Sequence, residues 1–185
     1  MAHSGRFAAL TLLLLGACAA APPLPPSPVG ELGAARSLTL QHPWSGETAR
    51  AVYRRGDVYD PQGLSALAQV MRDRRTGEVG PLDPALADLF WDLRTRLGLP
   101  EEAPIHVVSG YRSPRSNATL ARTDPQVAEN SYHLRGMAAD IRIPGVDGDR
   151  LVQAARALGR GGWAFYPRSK HLHVDVGPQR TWQVR

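Results

Sequence analysis

The sequence predicts an α+β fold in which helices pack on a small antiparallel sheet. Two helical patterns come first, and each opens with an aspartate followed by a proline, at Asp60-Pro61 and Asp83-Pro84. This pair is typical of a helix N-terminus. Short apolar stretches with the composition of strands dominate the second half of the chain. Helices first and an antiparallel sheet afterwards favour the α+β class.

The first half is predicted to contain a strand pair and two helices. Ser37–Leu40 alternates in polarity, and Ala51–Tyr53 offers a partner strand. The first helix runs to about Asp73, and its apolar residues recur at helical spacing, at Leu64, Leu67 and Val70. The second helix ends at Gly98, and its apolar stripe consists of Leu86, Leu89, Phe90, Leu93 and Leu97.

The second half is predicted to be rich in strands. Ile105–Val108 and Ala138–Ile143 are predicted as short strands, and residues 163–166 and 172–176 as a hairpin. Asp149 is expected to cap a helix that Gly159 closes. These elements belong to one predicted domain, residues 37–185, because 185 residues suffice for one hydrophobic core and a tail.

Residues 1–17 are predicted to form a signal peptide. Arg6 precedes the apolar stretch Phe7–Ala17, which is too short to span a bilayer as a stable helix. Leu15-Gly16-Ala17-Cys18 resembles the lipobox of bacterial lipoproteins, so Cys18 is the predicted lipidation site. Ordinary cleavage at a nearby small residue is the alternative. Residues 18–36 are rich in alanine and proline and form a predicted spacer.

The N-terminus also predicts where the protein works. Ala19 follows the cysteine, and in lipoproteins of two-membrane bacteria the absence of aspartate there usually implies the outer membrane. We therefore expect an exported, periplasmic domain that contacts a membrane only through an N-terminal lipid anchor. The sequence leaves the oligomeric state open.

Charge and cysteine content narrow the partners. The formal net charge of +5 suits an acidic partner such as nucleic acid, anionic lipid or a cell-wall polymer. The basic residues are scattered and aromatic residues are few, so nucleic acid is set aside. Cys18 is the only cysteine, so no internal disulfide can form.

Histidines and carboxylates cluster in two motifs of the second half. In Ser131–Asp140, small residues let the backbone pack closely, so that His133 and Asp140 can converge. In residues 170–177, strand alternation puts three titratable side chains on one face, those of His171, His173 and Asp175. Such groups are poor core material, so this face is expected to border a cleft or a metal.

Two histidines and one carboxylate form a common catalytic zinc set, with a fourth position left for water. Zinc lowers the pKa of that water toward neutrality and polarises the scissile carbonyl. A hydrogen-bonded cluster without metal is the alternative, since His-x-His alone is a common pattern.

Five motifs in order resemble the MepK-type murein endopeptidases, which belong to the LAS metallopeptidases together with D-Ala-D-Ala carboxypeptidases and the hedgehog signalling domain. The motifs are Ser109-Gly110-Tyr111-Arg112-Ser113-Pro114, Ser131-x-His133-x-x-Gly136-x-Ala138-x-Asp140, Gly161-Gly162 with Tyr166-Pro167-x-Ser169, His173-x-Asp175-x-Gly177 and Arg180-x-Trp182. A weaker match reaches back to Tyr59-Asp60-Pro61 and Arg72–Glu78. The resemblance implies a LAS/hedgehog-like zinc peptidase fold.

Carried over by position, the resemblance implies that His133, Asp140 and His173 bind Zn²⁺. It also implies that Arg112 anchors the substrate, since a guanidinium can hold a carboxylate through two hydrogen bonds. Tyr111 and Ser131 are expected to line the substrate cleft.

The chain departs from its relatives around the predicted catalytic base. MepK-type enzymes usually have an aromatic residue at the position of His171, and Lys170 occupies the position where many LAS enzymes carry a glutamate. His171 is therefore a candidate general base or transition-state donor. Asp175 is the other candidate, either as the base or as a partner that orients a ligand histidine.

The resemblance implies hydrolysis of peptide bonds in peptidoglycan cross-links, with stem peptides as the partner. Two alternatives stay open. A D,D-carboxypeptidase would use the same zinc chemistry on terminal D-alanine. A non-catalytic lipoprotein would keep the metal and bind the wall without turnover.

Overall fold

The computed structural model describes residues 1, 33–125 and 127–184. The predicted signal peptide, Cys18 and most of the predicted spacer lie outside these residues. The strands and helices, in chain order, are β1 (Ala35–Gln41), β2 (Thr48–Arg55), β3 (Val58–Tyr59), α1 (Pro61–Val70), α2 (Pro84–Arg96), β4 (Pro104–Ser109), α3 (Pro114–Ala121), β5 (Ala138–Arg142), α4 (Gly148–Leu158), β6 (Gly162–Tyr166), β7 (His171–Asp175) and β8 (Arg180–Thr181). A 3₁₀ turn at Tyr132–Arg135 precedes β5.

In the part of the chain that the structure describes, eight strands form a single sheet with the order β3-β2-β1-β4-β5-β7-β6-β8. Most neighbours are antiparallel, but β1 and β4 are parallel, as are β6 and β8. The α+β class is confirmed, whereas the prediction of a small antiparallel sheet is wrong in size and partly in strand direction. The chain between β1 and β4 includes two helices, which is long enough for a crossover to a parallel neighbour. The N-terminal strand pair therefore joins the C-terminal strands in one sheet.

The predicted helices are present, with differences at their ends. Asp60 and Asp83 cap α1 and α2 as expected, each accepting a backbone N–H with its side chain. Helix α1 stops at Val70, a few residues early, because the side chain of Asp73 accepts the N–H groups of the next loop. The prediction that Asp149 caps α4 is wrong, since Asp147 accepts the Arg150 N–H.

Helix α3 was not predicted from the sequence. Ser113 caps it and Pro114 occupies its first position, which are ordinary start signals. Its segment, PRSNATLA, carries too few apolar residues to produce a helical stripe. It follows β4 and positions the loop that contains Arg112.

The core lies between the sheet and helices α1, α2 and α4. All three helices contact strands of the sheet, and α2 and α4 also contact each other. Its fully shielded side chains include Leu38, Leu40, Phe90, Ile141 and Leu172. Leu172 and Val174 are buried in this core, so the predicted apolar face of the last long strand is confirmed. Among the described residues, no helix has the length and apolar character needed to cross a membrane.

Candidate active site

Three side chains from separate segments converge at the middle of the sheet. The His173 Nδ1 atom lies 3.0 Å from Asp140 Oδ1 and 3.3 Å from His133 Nε2. His133 Nε2 lies 3.6 Å from Asp140 Oδ1. One nitrogen or oxygen from each side chain falls within 4.8 Å of the others, a spacing at which the three can share one metal ion.

The register of strands β5 and β7 and one tight turn bring these three side chains together. Asp140 on β5 and His173 on β7 are direct cross-strand partners, so their side chains leave the sheet on the same face. His133 enters from the 3₁₀ turn, which Ser131 caps by accepting the His133 N–H. Gly136 ends that turn with φ +67°, a conformation that favours glycine.

Each imidazole is oriented by a hydrogen bond to the ring nitrogen that faces away from the cluster. His133 Nδ1 lies 2.7 Å from the Gly110 carbonyl oxygen, which can only accept, so Nδ1 donates and Nε2 faces the cluster. His173 Nε2 lies 3.2 Å from Asp175 Oδ2, so Nε2 donates and Nδ1 faces Asp140. Ligand histidines at metal sites almost always have such a partner on the other ring nitrogen. The donor set fits a zinc ion in atom type and orientation.

Asp175 lies fully buried behind His173 and is tightly bonded. Oδ1 accepts the N–H groups of Gly162 and Gly177, and both oxygens accept from the guanidinium of Arg180, at 3.0 and 2.7 Å. Burial alone would raise the pKa of Asp175, but its bonds to His173 and Arg180 bring that pKa far below its ordinary value. The carboxylate is therefore a fixed anion without access to the cleft.

Asp140 is the anion at the centre. Burial alone would raise the pKa of its carboxyl, but the charge and hydrogen bond of His133, together with His173, bring that pKa well below its ordinary value. An ionised carboxylate flanked by two imidazole nitrogens attracts a cation to this point.

His171 borders the cluster without joining it. Its Nε2 atom lies 3.9 Å from Asp140 Oδ1, and its ring stacks on Tyr166 at 4.4 Å between centroids. Among the described residues, no hydrogen-bond partner reaches the buried Nδ1 atom. Burial lowers the pKa of His171, although the charge of Asp140 opposes this shift. The lowered pKa favours the neutral ring at pH 7.

Two clefts meet at the cluster. The larger, of about 450 Å³, includes His171 and Tyr111 in its wall, and the smaller, of about 290 Å³, includes His133 and His173. Four residues line both clefts: Arg112, Val127, Asp140 and Tyr166. The two clefts therefore adjoin each other at the cluster and form one groove.

The predicted substrate residues all line this groove, but each makes different hydrogen bonds within the protein. Arg112 is half-buried and lines both clefts, and one of its guanidinium nitrogens donates to Asn117 Oδ1 at 3.0 Å. Tyr111 lines the larger cleft, but its hydroxyl donates to Glu78 at 2.9 Å. Ser131 lines the smaller cleft while capping the turn of His133.

Sequence reasoning assigned no role to three residues that shape the site. Arg180 holds Asp175, the ring of Trp182 packs 5.2 Å from that of His173, and Tyr166 lines both clefts. Arg180, Trp182 and Tyr166 did occur in the family-like motifs, which is the one signal that could have pointed to them.

Comparison with known proteins agrees with this geometry. A family model described as "Peptidoglycan L,D-endopeptidase MepK" matches residues 31–182. The chain is 40% identical over 148 residues to a probable peptidoglycan L,D-endopeptidase MepK of Haemophilus influenzae, covering 80% of this chain and 79% of the relative. It is 36% identical over 147 residues to the peptidoglycan L,D-endopeptidase MepK of Escherichia coli, covering 80% of each. The chain therefore belongs to the MepK family of peptidoglycan endopeptidases.

Proposed function

We propose that this chain is a zinc-dependent murein endopeptidase that hydrolyses peptide bonds in peptidoglycan cross-links. The observation that carries the proposal is the convergence of His133, Asp140 and His173, with each imidazole turned toward the same point by a partner behind it. Membership of the MepK family supports the substrate.

We assign His133 Nε2, Asp140 Oδ1 and His173 Nδ1 as the atoms that hold the ion. When bound, zinc would supply Lewis acidity that activates water and polarises the scissile carbonyl. Two features of this chain prepare for the ion: the ionised Asp140 compensates its charge, and the Gly110 carbonyl and Asp175 fix the imidazole tautomers.

We assign the proton transfers to His171 and a positioning role to Asp175. His171 is neutral, lines the larger cleft and lies next to Asp140, so its ring can accept a proton from water and return it to the leaving amine. Asp175 is shielded from the cleft by His173, and all its bonds go to protein groups. It acts on the reaction through the orientation of His173.

Arg112 is assigned as a substrate anchor. Its guanidinium faces both clefts, and its Nε atom has no hydrogen-bond partner among residues 33–125 and 127–184. Burial lowers the pKa of Arg112, partly offset by Asp140, so a carboxylate of the stem peptide would find a partly desolvated cation there. Tyr111 and Ser131 would contribute to the walls on either side.

Two adjoining clefts favour an endopeptidase over a D,D-carboxypeptidase. A carboxypeptidase needs to hold only one terminal residue beyond the scissile bond, whereas here two clefts share Asp140 of the candidate metal site. The relatives are named L,D-endopeptidases, and we infer the same bond type for this chain.

We also infer that the chain is exported, that Cys18 carries a lipid holding the domain at the outer membrane, and that the fold is of the LAS/hedgehog-like type. The apolar segment before Cys18 and the wall substrate named for the relatives support export. In a two-membrane host, Cys18→Ala is expected to remove the protein from the outer-membrane fraction. A variant that stays in the outer-membrane fraction would contradict lipidation.

Digestion of purified cross-linked muropeptides tests the reaction. The endopeptidase hypothesis predicts loss of dimers and appearance of monomers. Release of free D-alanine from intact dimers would indicate the carboxypeptidase instead. Binding to sacculi without any product would indicate a non-catalytic wall-binding protein.

A further inference from the structure

The larger cleft is lined by four arginines: Arg72, Arg74, Arg75 and Arg112. Three carboxylates, Asp73, Asp124 and Asp140, belong to the same wall. The four guanidinium groups are not equivalent, because some of them are already paired within the protein.

Arg72 and Arg74 are both engaged with Glu47. Each donates to one carboxylate oxygen of Glu47, at 2.5 and 2.7 Å, and each also donates to a backbone carbonyl of α1, from Gln69 and Val70. The hydrogen bond from Arg72 and the smaller effect of the one from Arg74 lower the pKa of Glu47 to about 2. Both guanidinium groups are therefore paired with the same carboxylate, and their side chains are held in place.

Arg75 and Arg112 differ from that pair. Within the described part of the chain, no carboxylate lies within ion-pair distance of either guanidinium, and the side chain of Arg75 is exposed on the cleft wall. Burial lowers the pKa of Arg112, and the charge of Arg75 adds to this effect while the charges of Asp140 and Asp73 oppose it. The exposed guanidinium of Arg75, which has no ion-pair partner in the described part of the chain, can bind an anion that enters the cleft.

Asp73 fixes the positions from which both arginines extend. It is buried, and Oδ1 accepts the N–H groups of Arg75 and Thr76, so the Arg75 loop is closed into a turn. Oδ2 accepts the N–H and the hydroxyl of Ser113, the residue after Arg112. One carboxylate therefore ties together the two segments that carry the unpaired cations.

We propose that Arg75 forms a second carboxylate subsite in the larger cleft, so that the enzyme selects stem peptides with a free carboxylate beyond the one that Arg112 holds. The inference rests on the proposed function for its substrate class, and it deepens that function. It makes Arg75 a specificity-determining residue. The enzyme then discriminates a free acid from the corresponding amide, which has the same shape without the charge.

Binding measurements on a variant with slowed hydrolysis test the subsite separately from the chemistry. The probes are two cross-linked stem peptides that both keep the carboxylate assigned to Arg112. A second carboxylate outside the scissile bond is free in one peptide and amidated in the other. In a His171→Ala background, we expect the free acid to bind about tenfold more tightly, as one charge-assisted hydrogen bond allows. Adding Arg75→Gln should bring the ratio of the two dissociation constants close to one.

Arg115→Gln is the matched control, because Arg115 is exposed on α3 and outside both clefts. It removes the same charge and should leave the tenfold ratio intact. Equal binding of the two peptides by the parent, or a ratio retained by Arg75→Gln, would overturn the subsite.

Turnover in the His171-containing chain completes the test. We expect Arg75→Gln to raise KM for the free acid with little change in kcat, since the interaction is present in both ground and transition states. A parent chain that shows the binding ratio but cleaves neither peptide would refute the proposed hydrolysis and leave the subsite standing.

Discussion

At the scale of single residues, the candidate metal site depends on the groups that hydrogen-bond to the far ring nitrogens of His133 and His173. The Gly110 carbonyl orients His133, and Asp175 orients His173 while Arg180 holds Asp175. A ligand held in the right tautomer and rotamer before the ion arrives loses little entropy on binding it. Removing a group behind a ligand should therefore weaken metal binding although the ligand itself is intact.

Asp175→Asn tests this arrangement. Asparagine keeps the shape but removes the charge that His173 and Arg180 contact. We expect zinc affinity to fall by about 10- to 100-fold, the usual effect of changing such a partner. Competition with a chromophoric chelator measures the affinity, and Asp149→Asn, on the exposed first turn of α4, serves as the control. Equal zinc affinity in Asp175→Asn and the parent would refute the positioning role.

His171→Ala tests the assignment of the base. Because Nε2 lies 3.9 Å from Asp140 rather than within the donor set, the variant should keep its zinc. Its kcat should fall by about two to four orders of magnitude, the range for loss of an acid–base group. His106→Ala, on β4 and outside both clefts, should retain the parent rate. An unchanged rate in His171→Ala would remove that residue from the mechanism.

Residue types and spacing predicted two separate clusters, and the resemblance to the MepK-type endopeptidases implied which of their side chains would come together. Alternation on the last long strand predicted that His171, His173 and Asp175 would face away from the core, and His173 does lie beside Asp140 and His133. The same reasoning left the base undecided between His171 and Asp175. That choice depends on burial and on Arg180, which is a matter of tertiary contacts and not of sequence period.

At the scale of elements, the predictions succeeded where local signals were strong. Helices α1 and α2 start at aspartate–proline pairs and carry apolar stripes, so both were found. Helix α3 has no stripe, and the two-residue strands β3 and β8 are too short to show a period. The parallel pairing of β1 with β4 is a long-range contact that no local pattern encodes.

The turn that delivers His133 depends on one glycine. A Cβ atom on Gly136 would lie 1.8 Å from the Pro81 carbonyl oxygen, and φ is already +67°. Gly77 is a matched control, because its φ of +75° carries a similar backbone penalty with nothing within 4 Å of an added Cβ. Both alanine variants should lose about 1–2 kcal/mol from the left-handed conformation.

We expect Gly136→Ala to be less stable than Gly77→Ala by a further 1–3 kcal/mol or so, the usual effect of overpacking. Chemical denaturation of the metal-free proteins measures the difference. Equal stabilities would mean that the turn can shift away from Pro81 without strain.

At the scale of the whole molecule, Asp88 links α2 to the N-terminal strands. Its carboxylate accepts hydrogen bonds from Tyr53, Tyr59, Arg36 and Arg54. Burial alone would raise the pKa of Asp88, but the hydrogen bonds of Tyr59 and Tyr53, with the two guanidinium charges, lower it. The pKa of Asp88 in the unfolded chain is about 3.9, so its contribution to folding stability is fully present above that pH. This contribution is lost as the pH falls through the lower pKa that Asp88 has in the folded protein.

Asp88→Asn should therefore lose about 3 kcal/mol of unfolding free energy at pH 7, as breaking a buried charge network does. Its stability should also decline less steeply than that of the parent below about pH 4. Asp92→Asn, on the same helix but paired with Arg160 at the surface, should change stability by less than about 1 kcal/mol. Parallel pH profiles for Asp88→Asn and the parent would contradict this account.

The most direct test of the central claim is the zinc content of the purified mature chain, measured together with its cleavage of cross-linked muropeptides. We predict one zinc per chain, loss of metal and cleavage together on chelation, and recovery of both when zinc is returned. His133→Ala, Asp140→Ala and His173→Ala should each lack stoichiometric zinc and each be inactive. Full cleavage by the metal-free chain, or stoichiometric zinc retained in His173→Ala, would contradict the account.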